Sequence, residues 1–343
     1  MPVFLAVDLG AETGRVVRGA FDGARLEVRE VHRFVNRPVA LPQGLHWDVL
    51  ALFADLSAGI AAALSDGRDQ VAGVGIDAWG NDFGLLDRDG RLIGNPWHYR
   101  DRRTESSTAL VTERAGAAGL YRTTGTATLP INTTSQLVAM EGSPQLDAAE
   151  RLVMLPDLFG YWLSGRVATE QTIASTSQLL DVSTRRWATG VIEALGIPGR
   201  LFAADVVAPG TRVGSLLTDP RVPLWAVAGH DTASAVAAIP AGAGSFGYIS
   251  SGTWSLVGLE LPAPVLTDDA RLSGFSNEAG VDGTVRFLRN GTGLWLLQRC
   301  RAAWGSPPYA DLVAAAAAAP AFRSVIDPDA PVLVAPDDMP ARL

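Results

Sequence analysis

The chain has 343 residues, 48% of them hydrophobic and 19% charged, with a net charge of −8. Such a length suggests about two domains and can bury ~75% of the surface its unfolded form exposes, so no covalent staples are needed. A single cysteine, Cys300, excludes a disulfide framework, a zinc ribbon and a CxxC redox pair. The four histidines, His32, His46, His98 and His230, show no HExxH or HxH spacing, which speaks against a histidine-built metal site. All 28 basic residues are arginine, so a P-loop lysine, a Schiff-base lysine and a lysine general base are excluded. The acidic balance argues against a nucleic-acid binder. No basic region precedes the apolar start, and no apolar run approaches the ~20 residues of a membrane span. A soluble, cytoplasmic protein is expected, with the sequons at Asn132 and Asn290 as chance matches.

Val3–Asp8 is an apolar run ending in a carboxylate and predicts a buried strand. Gly10–Gly14 reads as a turn and Val16–Phe21 as the returning strand; Asp22-Gly23 turns again into the alternating stretch Leu26–Phe34. Asp48–Leu64 has helical periodicity, with Leu50, Phe53, Leu56, Ile60 and Leu64 on one face. Val71–Ile76 is another apolar strand ending in a carboxylate, Asp77. Phe83–Asp87 is a further strand before a turn at Asp89-Gly90. Three antiparallel strands, a helix and a parallel strand are not the strict βαβ alternation of a dinucleotide-binding domain. Thr104–Arg200 is mostly helical pattern broken by Gly and Pro. Trp225–Ala228 reads as a short buried strand, and His230-Asp231-Thr232 caps a small-residue helix running through Ile239. Ala241–Ser245 looks like a joint between two domains, 1–240 and 241–343. Beyond it, strand Gly247–Ser250, turn Ser251–Thr253 and strand Trp254–Glu260 echo the strand–turn–strand unit around Asp8–Arg15. Leu294–Trp304 and the alanine run Ala314–Ala319 read as helices, and the end is rich in Pro and Asp.

Four segments carry chemistry. In Asp8-Leu-Gly-Ala-Glu-Thr-Gly-Arg15 a strand delivers a carboxylate to its end, and the turn offers backbone N–H groups that can cradle phosphate oxygens, with Thr13 and Arg15 as added donors. Asp8 would hold Mg²⁺ through water, as that hard cation prefers. The alternative is a plain hairpin turn. A second such turn at Ser251–Ser255 favours the phosphate reading, since two facing turns could clamp a triphosphate. Gly229-His-Asp-Thr-Ala233 offers either a helix cap or a general base, Asp231, for proton removal from a sugar hydroxyl. Trp79-Gly-Asn-Asp-Phe83 combines an aromatic face with an amide and a carboxylate, as a polyol pocket does, or is a core tryptophan with a turn. Asn290-Gly-Thr-Gly293, before a helix carrying Gln298, could admit a nucleotide or simply start the helix.

Together these segments resemble the FGGY carbohydrate kinases, and within them the rhamnulokinase branch. The strings are AVDLGAETGRVVRG, VHRFVNRP, LHWDV, GIDAWGNDFGLLD, YRDRRT, Val153-Met-Leu-Pro-Asp157, GHDTASAV, ISSGTWSLVG and NGTGLWLLQR, in family order from Val3 to about Arg301. The resemblance implies an α/β fold of two ribonuclease-H-like (actin-like) domains around a cleft. It implies ATP- and Mg²⁺-dependent phosphorylation of L-rhamnulose at O1. By motif match, Ala11, Glu12, Thr13, Gly14, Arg15, Thr253, Asn290 and Gln298 correspond to ATP-binding positions. Gly80, His230, Asp231 and Thr232 correspond to sugar-binding positions, Asp231 to the proton acceptor and Asp8 to the carboxylate near Mg²⁺. Glu12-Thr13 departs from the more usual Ser-Ser.

The resemblance also sets an expectation about the end of the chain. Relatives continue past Leu343 into a Gly-rich adenosine-binding turn, and this sequence has no GGG string. The second domain is therefore expected to be incomplete, with poor ATP turnover unless a second chain supplies the missing segment. Rival readings are another FGGY kinase, acting on fuculose, xylulose or gluconate, and a catalytically inactive sugar-binding fragment. A nicotinamide dehydrogenase is disfavoured, because the first turn lacks GxGxxG.

Overall fold

The computed structural model describes residues 1–65, 71–242, 244–328, 330–333 and 338–343. Strands β1 (Val3–Leu9), β2 (Thr13–Phe21) and β3 (Leu26–Val35) form an antiparallel meander. Asp22 makes the second turn, its Oδ1 accepting from the N–H groups of Ala24 and Arg25 at 2.8 and 2.7 Å. Along β1 the alternate residues Val3, Leu5, Val7 and Leu9 are buried, the two-residue period of a strand with a packed face. A hairpin absent from the sequence reading follows, β4 (Pro38–Leu41) with β5 (Gly44–Trp47). Helix α1 (Val49–Ser65) then crosses back to β6 (Val71–Ala78), which lies parallel to β1. The buried face of α1 is Val49, Leu52, Leu56, Gly59, Ile60 and Ala63. Leu50, expected on that face, is 61% exposed, because the helical stripe is set by Leu52 and Leu56 one step round.

Strand β7 (Phe83–Leu86) pairs with β8 (Arg151–Met154), and the short β9 (Thr169–Glu170) with β10 (Val206–Val207). The broken helical pattern becomes α2 (Ser107–Ala115), α3 (Ala117–Thr124), α4 (Thr133–Val138), α5 (Pro144–Ala148), α6 (Leu155–Ser164), α7 (Gln171–Ser175) and α8 (Thr189–Ala194). Leu120, Leu137, Leu152, Leu179 and Leu195 pack these into a core of their own. Strands β11 (Thr211–Ser215) and β12 (Pro223–Ala226) complete the main sheet, ordered β11-β12-β6-β1-β2-β3. Strand β12 starts two residues before its expected position, with proline at its first residue, where a missing N–H is tolerated.

After α9 (Asp231–Ala237) a second sheet forms from β13 (Phe246–Ser251), β14 (Trp254–Leu261), β15 (Phe275–Ala279) and β16 (Val285–Thr292), ordered β13-β14-β16-β15 and wholly antiparallel. Tyr248, Leu256 and Leu288 pack on Val236 of α9. Helices α10 (Asp268–Leu272), α11 (Trp295–Ala303) and α12 (Tyr309–Ala318) accompany this sheet. Between Glu260 and Leu294 no element is expected from the sequence, yet α10, β15 and β16 form there. Asn290–Thr292 ends a strand rather than forming a turn. The sequence of β15, Phe-Ser-Asn-Glu-Ala, hides it: Ser276, Asn277 and Glu278 are polar yet buried. Of the expected joint Ala241–Ser245, residue 243 lies outside the described residues.

Those polar side chains have partners because β15 is the seam between the halves. Asn277 donates its backbone N–H and its Nδ2 to the Gly125 carbonyl at 2.8 and 3.1 Å. Ser276 Oγ accepts from Ala127 N at 3.0 Å, and Ala279 N donates to Ser175 Oγ at 2.9 Å. Gly125 closes α3 in the left-handed region, φ 69°, and a Cβ there would stand 2.9 Å from the Asn277 Cβ. Gly125→Ala should therefore cost more than the ~1–2 kcal/mol of a left-handed L-residue, since it also pushes β15 away. Urea unfolding would measure that loss; a change below ~0.5 kcal/mol, the range of neutral surface substitutions, would contradict the tight seam.

Candidate active site

The floor of the site is made by strand ends. Parallel pairing of β1 with β6 sets Asp8 opposite Asp77. Arg15, across the hairpin, bonds Asp8 Oδ2 through Nε at 2.8 Å and Nη2 at 2.6 Å. Burial, then the neighbouring Asp8 and Asp231 carboxylates, push the Asp77 carboxyl well above the usual range. Beyond β12 the chain rejoins this edge, with Ala78 N donating to the Gly229 carbonyl at 2.9 Å. Glu170 holds the loop, Oε2 accepting from Gly229 N at 2.8 Å, while His230 N donates to Thr172 Oγ1 at 3.2 Å.

Asp231 is the first residue of α9, and the cap position belongs to His230, which makes no side-chain cap bond. Asp231 Oδ1 instead accepts from the N–H of Thr232 at 2.6 Å and its Oγ1 at 3.2 Å, with His230 Nε2 at 3.4 Å. Its side chain keeps 35% of its surface open. Confinement in the cleft raises its pKa, against the pull of His230 and the Thr232 bonds.

A cavity of about 410 Å³ opens above this carboxylate. The first half of the chain lines it with Gly10, Ala11, Glu12, Thr13, Trp79, Gly80, Asn81, His230, Asp231 and Thr232, and the second half with Ser250, Gly252, Thr253, Trp254, Glu278 and Asn290. The two glycine turns thus face one space. Four expected positions stand off it. Gly14 lies within β2 against the Phe34 ring, Arg15 is taken up by Asp8, and Asp8 sits behind the first turn. Gln298, on α11, reaches Thr253 Oγ1 with Nε2 at 3.3 Å. Residues the sequence reading missed also line the cavity: Tyr99, Ile131, Thr176 and Glu278.

The wall opposite the turns is built around one buried carboxylate. Asp82 is fully buried. Its Oδ2 accepts from the indole N–H groups of Trp47 and Trp79 (the latter at 2.9 Å) and from Tyr99 N at 3.3 Å. Gln136 Nε2 donates to Oδ1 at 2.9 Å. These bonds fix Trp79 against Trp47, ring centroids 4.2 Å apart. They also fix the following strand-to-loop turn, where Asn81 has φ 73° and its N–H donates to Thr176 Oγ1 at 2.9 Å. Burial raises Asp82 to about 6, even against hydrogen bonds from Gln136, Trp79 and Trp47.

A partly open carboxylate at a helix start, an aromatic wall with an amide, and two glycine turns face one cleft, the arrangement a phosphotransferase with a hydroxyl acceptor needs. Residues 3–236 match the N-terminal domain, and residues 247–343 the C-terminal domain, of the FGGY family of carbohydrate kinases. The chain belongs to that family. Its similar relatives include the rhamnulokinases of Bacteroides thetaiotaomicron, 39% identical, and Pectobacterium atrosepticum, 40% identical. Each comparison covers 98% of this chain, and 71% and 68% of those relatives. Among solved structures, the xylulose kinase of Lactobacillus acidophilus shares the fold with TM-score 0.76 at 15% identity, covering 94% of this chain and 66% of that one. A Plasmodium falciparum glycerol kinase with ADP gives TM-score 0.70 at 15% identity, over 87% and 63%.

The raised carboxyl of Asp82 has a linked consequence. Its folded pKa of about 6 exceeds the ~3.9 of an unfolded Asp, so its favourable contribution is complete below the unfolded value and is lost as pH rises through the folded one. Wild type should lose up to ~3 kcal/mol relative to Asp82→Asn between pH 4 and 7. Paired urea titrations would check this, and parallel pH profiles would contradict it.

Proposed function

We propose that this chain transfers the terminal phosphoryl group of ATP to L-rhamnulose, giving L-rhamnulose 1-phosphate, in the cytoplasm. One observation carries the reading: Asp231 stands at the start of α9, facing a cavity flanked on one side by the aromatic wall and on the other by two glycine turns. Phosphoryl transfer asks for positioning and charge stabilisation more than covalent chemistry. Trp79, Gly80, Asn81, His230 and Thr232 bind the sugar, with Asp231 accepting the proton of its attacking hydroxyl. Ala11, Glu12, Thr13, Thr253 and Asn290, which line the cavity, bind ATP. Backbone N–H groups of the turns meet phosphate oxygens, and Gln298 braces Thr253. The halves 1–240 and 241–343 are the two domains, and their contact keeps water from competing with the sugar hydroxyl.

Kinases of this family use ATP with a divalent metal, and the donors here suit Mg²⁺. Asp8 and Asp77 offer hard carboxylate oxygens side by side, and Asp77 Oδ1 is buried without a protein partner. No direct three-ligand group of His, Cys, Asp or Glu occurs among the described residues, which suits a cation held through water by Asp8. When bound, the cation would neutralise phosphate charge. No helix among the described residues is long and apolar enough to cross a membrane. The partners in this reading are the sugar and ATP.

Incubating the purified chain with ATP and a panel of L-rhamnulose, fuculose, xylulose and gluconate tests the assignment. Phosphorylation of another sugar in preference would move it within the family, and sugar binding without turnover would favour the inactive reading. Asp231→Asn should lower kcat by ~10²–10⁴ with little change in sugar affinity; near-normal turnover would remove Asp231 as the base. Asp8→Ala should raise the Mg²⁺ concentration needed for half-maximal rate while leaving the thermal transition nearly unchanged. Superimposable Mg²⁺ titrations would overturn that role.

A further inference from the structure

Behind the base lies a buried charged cluster that belongs to the other half of the chain. Arg286 of β16 is fully buried, and its Nη2 donates to Glu278 Oε2 of β15 at 2.8 Å. The same Nη2 stands 3.0 Å from His230 Nδ1, and Glu278 Oε2 stands 3.1 Å from that nitrogen. Arg286 Nε donates to the Ala279 carbonyl at 3.2 Å, fixing the guanidinium to the seam strand. Burial alone would raise Glu278, yet Arg286 and His230 override it and hold the carboxyl down at about 2. Nδ1 of His230 therefore faces one group that only donates and one that only accepts, so a neutral or a protonated ring finds a partner there. The ring's other edge, Nε2, is turned to Asp231 Oδ1.

We propose that Glu278 and Arg286 are positioning residues for the reaction: they grip His230 from the second half, and through it set the Asp231 carboxylate. This rests on the reading of Asp231 as base. A buried ion pair is a poor stabiliser, since aliphatic residues of similar volume commonly serve as well or better, so packing does not account for it. Arg286 also keeps Nη1 buried without a hydrogen-bond partner, as expected of a group placed for geometry rather than for its own satisfaction. The base is then fully set only while β15 lies against the first half.

The test compares Glu278→Gln and the charge-free pair Glu278→Leu with Arg286→Met against a control, Tyr121→Phe, which removes another seam contact (Asn277 Nδ2 donating to the Tyr121 hydroxyl, 3.3 Å). With four histidines in the chain, ring ¹⁵N signals of His230 are assignable. They should move in Glu278→Gln and in the double variant but not in Tyr121→Phe. Kinetics with L-rhamnulose should show kcat lowered ~10-fold in both cluster variants, the low end for partners that orient an active-site imidazole, with sugar KM nearly unchanged and the double variant no less stable than wild type. Unmoved ring signals would overturn the proposal, as would unchanged kcat in a chain that turns over. Loss confined to KM would make Glu278 a sugar contact instead, which also overturns it. If Asp231→Asn leaves turnover intact, or no sugar is phosphorylated, the functional reading fails separately, and the ring signals still decide whether Glu278 and Arg286 hold His230.

Discussion

Two strands running parallel and in register bring Asp8 and Asp77 side by side, and the loop entering α9 adds Asp231 to the same edge. Like charges so placed oppose one another's ionisation, and the site accommodates them in different ways. Asp8 is met by Arg15. Asp77 is driven toward its neutral form by burial and by the other two carboxylates. Asp231 keeps an open face and bonds from Thr232. One edge thus carries a paired, a suppressed and an available carboxylate, three environments for one residue type.

The second constraint is the seam. Strand β15 places three consecutive polar residues in a buried position, and each is satisfied. Ser276 and Asn277 bond the first half's backbone, and Glu278 bonds Arg286 and lies against His230. Cation–π contacts add to it where Arg100 of the first half lies 4.4 and 4.6 Å from the ring centroids of Trp254 and Trp295. Directional bonds of this kind fix register more sharply than apolar packing does, because a slip of one residue would leave buried donors unmatched. The cavity lies against this seam, so its shape depends on both halves being in place.

What could be read in the sequence follows from the same physics. Strands β1 and β6 were legible because each buries an apolar run that ends beside a carboxylate, whereas β2 and β3, buried at few positions, were legible from the turns that bound them. The turn residues Ala11, Glu12, Thr13, Gly80 and Thr253 were legible because tight turns and loop chemistry are written locally. Strand β15 was not, since its buried residues are polar and Ser276 and Asn277 find first-half partners about 150 positions away; alternation carries no trace of such bonds. Tyr99, Ile131 and Thr176 were missed for a related reason: they line the cavity through the packing of loops and helices rather than through any motif. Leu50 shows the limit of periodicity itself, for a stripe of apolar residues leaves the rotation of the helix undecided by one position.

The absence of lysine narrows how the cleft can treat a polyphosphate. Its neighbouring cations are guanidiniums, charged at every accessible pH, and each is already engaged: Arg15 by Asp8, Arg286 by Glu278, Arg100 by two indole rings. The charged groups that line the cavity are instead acidic, among them Glu12, Asp231 and Glu278. In the proposed reaction the donors left for phosphate oxygens are turn N–H groups and the Thr13, Thr253 and Asn290 side chains, together with a cation brought by the nucleotide. Glu12 makes the point most directly. Partial burial raises its carboxyl, with Arg301 opposing, so the first turn presents an acid rather than a neutral donor. A phosphate approaching an ionised carboxylate is repelled unless a cation lies between them. Such a turn depends more on metal activity than a hydroxyl-lined one does.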